Sequence, residues 1–132
     1  MLRWRVERFH DTLKQGLTVE RLQVDDARTL MNAVSAYSLV AWRLMFMTYY
    51  ARLYASRPCS EILSVEEHRA LSAKAKGSVQ SVGEAVREIA KLGGRQSHAP
   101  PGVKVIWRGL YALQFLTIGF SLALTQKNMR QD

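Results

Sequence analysis

The sequence predicts an all-α fold of four to five helices around one long central helix, at about residues 26–55, with no substantial sheet. Three observations carry this. Leu30, Ala33, Tyr37, Val40, Leu44, Met47, Ala51 and Tyr54 recur every three or four residues, the period of a helix face. Ser64-Val65-Glu66-Glu67 has the form of a capping box, in which a serine and a glutamate satisfy each other's free amides at a helix start. No stretch shows the apolar–polar alternation, bounded by turn residues, of a half-buried strand.

The first helix is expected from about Arg3 to Gln15, stopped by Gly16. Leu2, Val6, Phe9 and Leu13 give it one apolar face, and Arg3, Glu7, His10 and Lys14 form a polar stripe beside it. Leu17 to Val24 reads as a connector. Asp25 or Asp26 can cap the long helix, which runs to about Ala55 because Pro58 forbids much more. Leu39, Trp42, Phe46, Tyr49 and Leu53 make a second apolar seam on it, and a helix apolar on two faces needs cover on both. Further helices are expected from Ser64 to about Lys76, from Val79 to Leu92, and from Val105 to Thr125. The last places Ile106, Leu110, Leu113, Thr117, Phe120 and Leu124 on one face. Gly93 to Lys104, with Pro100-Pro101-Gly102, is the one plain loop, and the tail from Gln126 is polar and expected to fray.

Composition bounds the function. The chain has 132 residues, 48% hydrophobic, which suits one modest folded domain. Net charge is +8, and the excess is local: between Arg69 and Arg108 eight cations (Arg69, Lys74, Lys76, Arg87, Lys91, Arg95, Lys104, Arg108) face only Glu84 and Glu88. Such a field attracts polyanions, since each neutralised phosphate releases a condensed counterion. Cys59 is alone, which excludes an internal disulfide and a cysteine zinc site and fits a reducing cytosol. No apolar run follows Met1-Leu2-Arg3-Trp4-Arg5, so no signal peptide is read there. The apolar stretches Ala33–Trp42 and Leu110–Leu124 fall short of the roughly 20 residues of a span. The expectation is a soluble, cytoplasmic protein with no membrane partner.

For chemistry, the first helix carries the sharpest pattern. Arg3, Glu7 and Lys14 share a stripe, with Lys14 about two turns, ~10 Å, beyond Glu7. A carboxylate flanked by cations suits a phosphodiester, the acid holding a divalent metal and the cations holding phosphate oxygens. Arg3 and Glu7, and Glu7 with Asp11 or His10, are also ordinary surface neighbours at helical spacing, the Arg3–Glu7 pair being worth a few tenths of a kcal/mol. His10, His68 and His98 are too scattered for a metal site. Trp42 is expected in a core or interface rather than stacked on bases, with core favoured.

Arg3-Trp4-Arg5-Val6-Glu7-Arg8-Phe9-His10, followed by Lys14, resembles the carboxy-terminal signature of bacterial cut-and-paste transposases, the transposon-five-like branch of the insertion-sequence-four family. That signature is a tyrosine, two residues, arginine, three residues, glutamate, six residues and lysine. The resemblance continues in order through Val19–Gln23, Tyr37–Leu44, Ile89–Gly94 and Trp107–Leu110, so it covers nearly the whole chain.

The resemblance implies that Glu7 is the last carboxylate of an aspartate-aspartate-glutamate metal site. It implies that Arg3 and Lys14 hold DNA phosphates near the cleavage point. Residues 1–16 would be the last helix of the catalytic domain, and residues 17–132 the helical region that pairs two subunits, with Trp42, Phe46, Tyr49 and Leu53 as the candidate interface. Mg2+ or Mn2+ would serve the complete enzyme, with none bound well by this chain alone. The partners would be transposon-end DNA and a second transposase subunit. Two departures stand out: the signature tyrosine would precede Met1, and Asp11 sits where relatives often carry a second lysine. Both catalytic aspartates would also lie upstream, so the chain is expected to be a piece of a longer enzyme and inactive alone. Two other readings remain: a helical module that pairs with and inhibits full-length transposase, and a generic basic DNA-binding helical protein.

Overall fold

The structure, a computed structural model, describes residues 2–16, 23–96 and 99–130. Five α-helices follow in order: α1 Leu2–Asp11, α2 Ala27–Leu53, α3 Val65–Ala75, α4 Val82–Leu92 and α5 Val103–Met129. A π turn, Thr12–Gly16, continues α1, and a short 3-10 turn, Cys59–Glu61, precedes α3. Among the described residues the fold is all-α, with extended pairing limited to one isolated bridge between Pro58 and Ser81. Most of the connector at Leu17 to Val24, most of the Val19–Gln23 segment, and His98 lie outside the described residues. The chain divides into two compact units, Met1–Met47 and Thr48–Asp132.

In the first unit, α1 gives up α geometry at Thr12, whose hydroxyl donates to the Arg8 carbonyl at 2.9 Å. The expected helix to Gln15 is an α-helix to Asp11 followed by one π turn, which is wider per residue. Phe9 and Leu13 are half-buried while Val6 is exposed, so the predicted apolar face is only partly covered. Of the two candidate caps for α2, Asp26 takes the role: the Thr29 amide donates to its Oδ1 at 2.9 Å and the Thr29 hydroxyl to its Oδ2. These bonds hold the Asp26 carboxyl below its ordinary value, the hydroxyl contributing most.

Along α2, Ala41, Leu44 and Met47 are fully buried, whereas Leu30, Leu39 and Trp42 are exposed. The expectation that Trp42 belongs to a core is corrected: it is 60% exposed, its indole stacked on Phe46 at 5.3 Å. Each helical residue turns about 100°, so Trp42 points away from the side that Ala41, Leu44 and Met47 share.

The second unit is built where three helices meet. α5 packs on both α4 and α3, and Ile106, Gly109 and Leu113 are its buried positions. They meet a core that includes Leu71 from α3 and Val82, Ala85, Val86 and Ile89 from α4. α2 ends at Leu53, two residues earlier than expected, and the chain then runs beside the start of α4. There Gly83 N–H donates to Ala55 O at 2.9 Å, Val82 N–H to Arg57 O at 2.8 Å and Cys59 N–H to Gln80 O at 2.9 Å. The Cys59 thiol, buried against the Val79 carbonyl at 3.2 Å, has its pKa pushed up by that burial.

Both inner helices start on capping boxes. At α3, Glu67 N–H donates to Ser64 Oγ at 3.2 Å and Ser64 N–H to Glu67 Oε2 at 2.9 Å, as the sequence predicts. α4 begins at Val82, three residues later than expected, because Ser81 and Glu84 form a second box. The Gln80 and Ser81 amides donate to Glu84 at 2.8 and 3.3 Å and hold its carboxyl below the ordinary range. Ser81→Ala is expected to cost about 1 kcal/mol in urea unfolding, as is Ser64→Ala. Ser78→Ala, which removes only an exposed bond from Gln80, should cost less than about 0.5 kcal/mol. Equal effects at positions 78 and 81 would contradict the second cap.

α5 starts two residues before and ends four residues after the expected 105–125, so Gln126 to Met129 are helical rather than frayed. Gln, Lys and Met are good helix formers, and they continue a helix already nucleated by packing. Two apolar stretches read as too short to span a membrane thus belong to 27-residue helices, α2 and α5, each long and apolar enough to cross one by length and composition.

Candidate functional site

α1 presents the predicted polar stripe to solvent. Arg3 Nε lies 3.1 Å from Glu7 Oε1, with side chains 93% and 59% exposed. The pair forms because residues four apart on an α-helix sit one above the other. Lys14 falls within the π turn, where each residue advances less around the axis, so its angular match to Arg3 and Glu7 is looser than a continuous α-helix would give. Arg8 stands over the Trp4 ring at 5.5 Å, which fixes a second cation on the same short helix. His10 and Asp11 are exposed, and the His10 ring sits edge-on to Phe9 at 6.1 Å.

A divalent metal needs several oxygen ligands converging on one point. Among the described residues no three acidic, histidine or cysteine side chains converge. Glu7 has Arg3, a cation, as its near neighbour. Among the described residues, Glu7 fits such a site only as one ligand among others.

The predicted basic excess lies entirely in the second unit. Arg69, Lys74, Lys76, Arg87, Lys91, Lys104 and Arg108 are exposed or half-buried, as is Arg95. The two acids in this stretch offset only part of this charge: Glu84 accepts from backbone amides and feels the Arg87 charge, and Glu88 pairs with Lys91 at 2.6 Å on its own helix. Arg52, Arg87 and Arg95 line one cavity of about 350 Å³ together with Thr48, Ala51, Gly83, Val86, Pro100, Pro101 and Ile106. The sequence shows Arg87 and Arg95 as part of the excess but gives no sign that Arg52 joins them. Their separation along the chain hides the grouping.

Of the candidate interface residues, Trp42 and Leu53 are exposed and Phe46 and Tyr49 half-buried. α5 carries a further apolar face that the sequence does not single out: Tyr111, Phe115, Ile118 and Leu122 recur at four, three and four residues and are all exposed. Beside it, Ala70, Ala73, Leu92, Leu116 and Phe120 line a shallow groove of about 650 Å³.

His68 and Glu61 have structural partners. His68 Nε2 lies 2.7 Å from the Val79 carbonyl, tying α3 to the segment before α4. Glu61 accepts from the Tyr50 hydroxyl and pairs with Arg57 at 2.7 Å, and the Tyr50 bond most of all holds its carboxyl below the ordinary range.

The segments Ile89–Gly94 and Trp107–Leu110 meet in the packing of α4 on α5. An ideal Cβ on Gly109 would lie 1.9 Å from the Ile89 carbonyl oxygen, and one on Gly93 would lie 2.1 Å from that of Val105. Ile89–Gly94 and Trp107–Leu110 are thus the two sides of one close helix packing, in which glycine is required for approach rather than for a turn. No protein-family model matches the chain.

Proposed function

We propose that this chain is the carboxy-terminal region of a bacterial cut-and-paste transposase, supplying the final metal-binding glutamate, Glu7, and the surface that pairs subunits for DNA transposition. The observation that carries the reading is the arginine, glutamate and lysine spacing of Arg3, Glu7 and Lys14 on an exposed stripe, followed in order by four further resembling segments. The Arg3–Glu7 pair supports it by holding the carboxylate at the surface, beside a cation suited to a phosphate oxygen. Alone, the chain is a binding and pairing module rather than a catalyst, because one carboxylate cannot position a divalent ion. Its site of action is the cytoplasm, on DNA, and the basic excess of the second unit supplies the attraction.

The exposed apolar faces favour subunit pairing, and with it the second reading, a module that combines with full-length transposase and inhibits it. Apolar patches beyond a few hundred Å² mark contact sites. At ~25 cal/mol per Å², covering one contributes several kcal/mol before association costs. α2 and α5 are long and apolar enough to cross a membrane, yet α2 carries Arg43 near its middle, which is costly inside a bilayer.

In sedimentation equilibrium at tens of micromolar, the chain is expected to form dimers. Ile118→Glu, on the exposed α5 face, or Trp42→Glu, on the exposed α2 face, should weaken pairing at least about tenfold with little loss of helix content. A monomer over that concentration range would refute pairing. Dimers untouched by either substitution would place the interface elsewhere.

A further inference from the structure

We infer that the cavity lined by Arg52, Arg87 and Arg95 is a phosphate-binding pocket. Arg52 at the end of α2, Arg87 in α4 and Arg95 in the segment after α4 all line one space, with the Arg52 guanidinium lying over the Tyr49 ring at 5.7 Å. Among the described residues none of the three has a carboxylate at ion-pair distance, and no acidic side chain lines the cavity. Glu84, which feels the Arg87 charge, is taken up by the backbone amides of Gln80 and Ser81. Three like charges around one cavity repel one another, and an anion seated among them removes that cost. Arginine suits the task because its planar fork can give two parallel hydrogen bonds to a tetrahedral oxyanion.

The remaining walls fit the same ligand. Ala51, Val86 and Ile106 are apolar and lower the local dielectric, which strengthens each charge-assisted bond. The volume, about 350 Å³, is at the lower end for small-molecule sites, so it takes a phosphate group with part of what it is attached to. The position is held firmly. Gly83, on the wall, is drawn against Ala55 by the 2.9 Å bond from its amide, and an added Cβ would lie 3.1 Å from both Ala55 Cβ and Ala55 O. That close approach anchors the Arg52 end of α2 to the first turn of α4. The inference stands on this cavity and holds whether or not the chain belongs to a transposase.

The phosphate can be that of a nucleic-acid backbone or of a small phosphorylated compound, and two measurements separate them. In thermal unfolding at constant ionic strength, inorganic phosphate replacing chloride should raise the melting temperature by about 5 °C at roughly tenfold its Kd. The Arg87→Gln/Arg95→Gln double variant should lose that gain, measured from its own melting point. Arg95→Lys should keep part of it, and Lys127→Gln, at the far end of α5, should keep all of it. In the second measurement a labelled duplex is titrated over a range of salt. If the pocket takes a backbone phosphate, the double variant binds more weakly and free phosphate competes with the duplex. Its log–log salt slope then flattens by about 0.9 for each DNA phosphate no longer neutralised. If the duplex is bound equally by both proteins but the phosphate gain disappears, the occupant is a small phosphorylated compound. A phosphate gain that is absent, or equal in the wild type and the double variant, would overturn the inference.

Discussion

Gly109→Val is expected to lower the melting temperature of the chain by more than about 10 °C. The cause is local. A Cβ at position 109 would lie 1.9 Å from the carbonyl oxygen of Ile89, 2.7 Å from its carbon and 2.8 Å from its Cγ2. The first two atoms are backbone within α4, so no rotamer change relieves the clash. α4 and α5 must separate, and with them the packing of Ile89 and Ile106, both fully buried. Overpacking against side chains costs about 1–3 kcal/mol, and against a fixed backbone the cost lies at or above that range. Domains of this size are stable by only about 5–15 kcal/mol. Gly93→Ala meets Val105 O at 2.1 Å and should behave alike. The control is Gly119→Ala, in the same helix as Gly109 but with nothing within 4 Å of its Cβ. It should be neutral or stabilising by about 0.5–1 kcal/mol, since alanine restricts the unfolded chain. If Gly109→Val and Gly119→Ala melt together, the close approach of α4 and α5 is wrong.

These glycines illustrate what the sequence does and does not reveal. Gly93 reads as a helix stop, which it is, but its second use becomes visible only once α5 is laid against α4. Gly109 carries no local signal at all, because a glycine that permits close approach is defined by what it touches. Ser64 and Glu67 are legible because a capping box lies within four residues. Ser81 and Glu84 obey the same rule but are obscured by Val79 and Val82, which extend the apolar period backwards and draw the expected start three residues too early. Periodicity likewise finds both seams on α2 yet says nothing of which one is covered. Burial of Ala41, Leu44 and Met47 decides that, and it leaves Trp42 outside.

The candidate sites divide in the same way. Arg3 and Glu7 are close in sequence, so their pairing is read directly from helical spacing, and the structure has them 3.1 Å apart. Lys14 is further along, beyond the point where the helix passes from α to π geometry at Thr12, and a fixed 3.6-residue period no longer places it. Arg52 is 35 residues from Arg87 and 43 from Arg95 in the numbering, and only the folded chain assembles them into one cavity. Charge counting finds the region but not the pocket.

The second large effect concerns Glu7, and it tests the central claim most directly. Residues 1–132 are grafted in place of the corresponding carboxy-terminal region of an active transposase of the transposon-five-like branch, and cleavage of transposon-end DNA is followed in Mg2+. If Glu7 is the third carboxylate of the metal site, the folded chimaera cleaves, and Glu7→Ala lowers the rate by about 10³-fold or more, because the loss of one ligand disrupts placement of the ion. Glu7→Ala leaves packing untouched, since the side chain is exposed and its one described ion pair, with Arg3, contributes only a few tenths of a kcal/mol. Circular dichroism and dimer content should therefore match those of the unsubstituted chimaera, separating lost chemistry from lost structure. A folded, dimeric chimaera that cleaves equally well with and without Glu7, or not at all with it, would contradict the account.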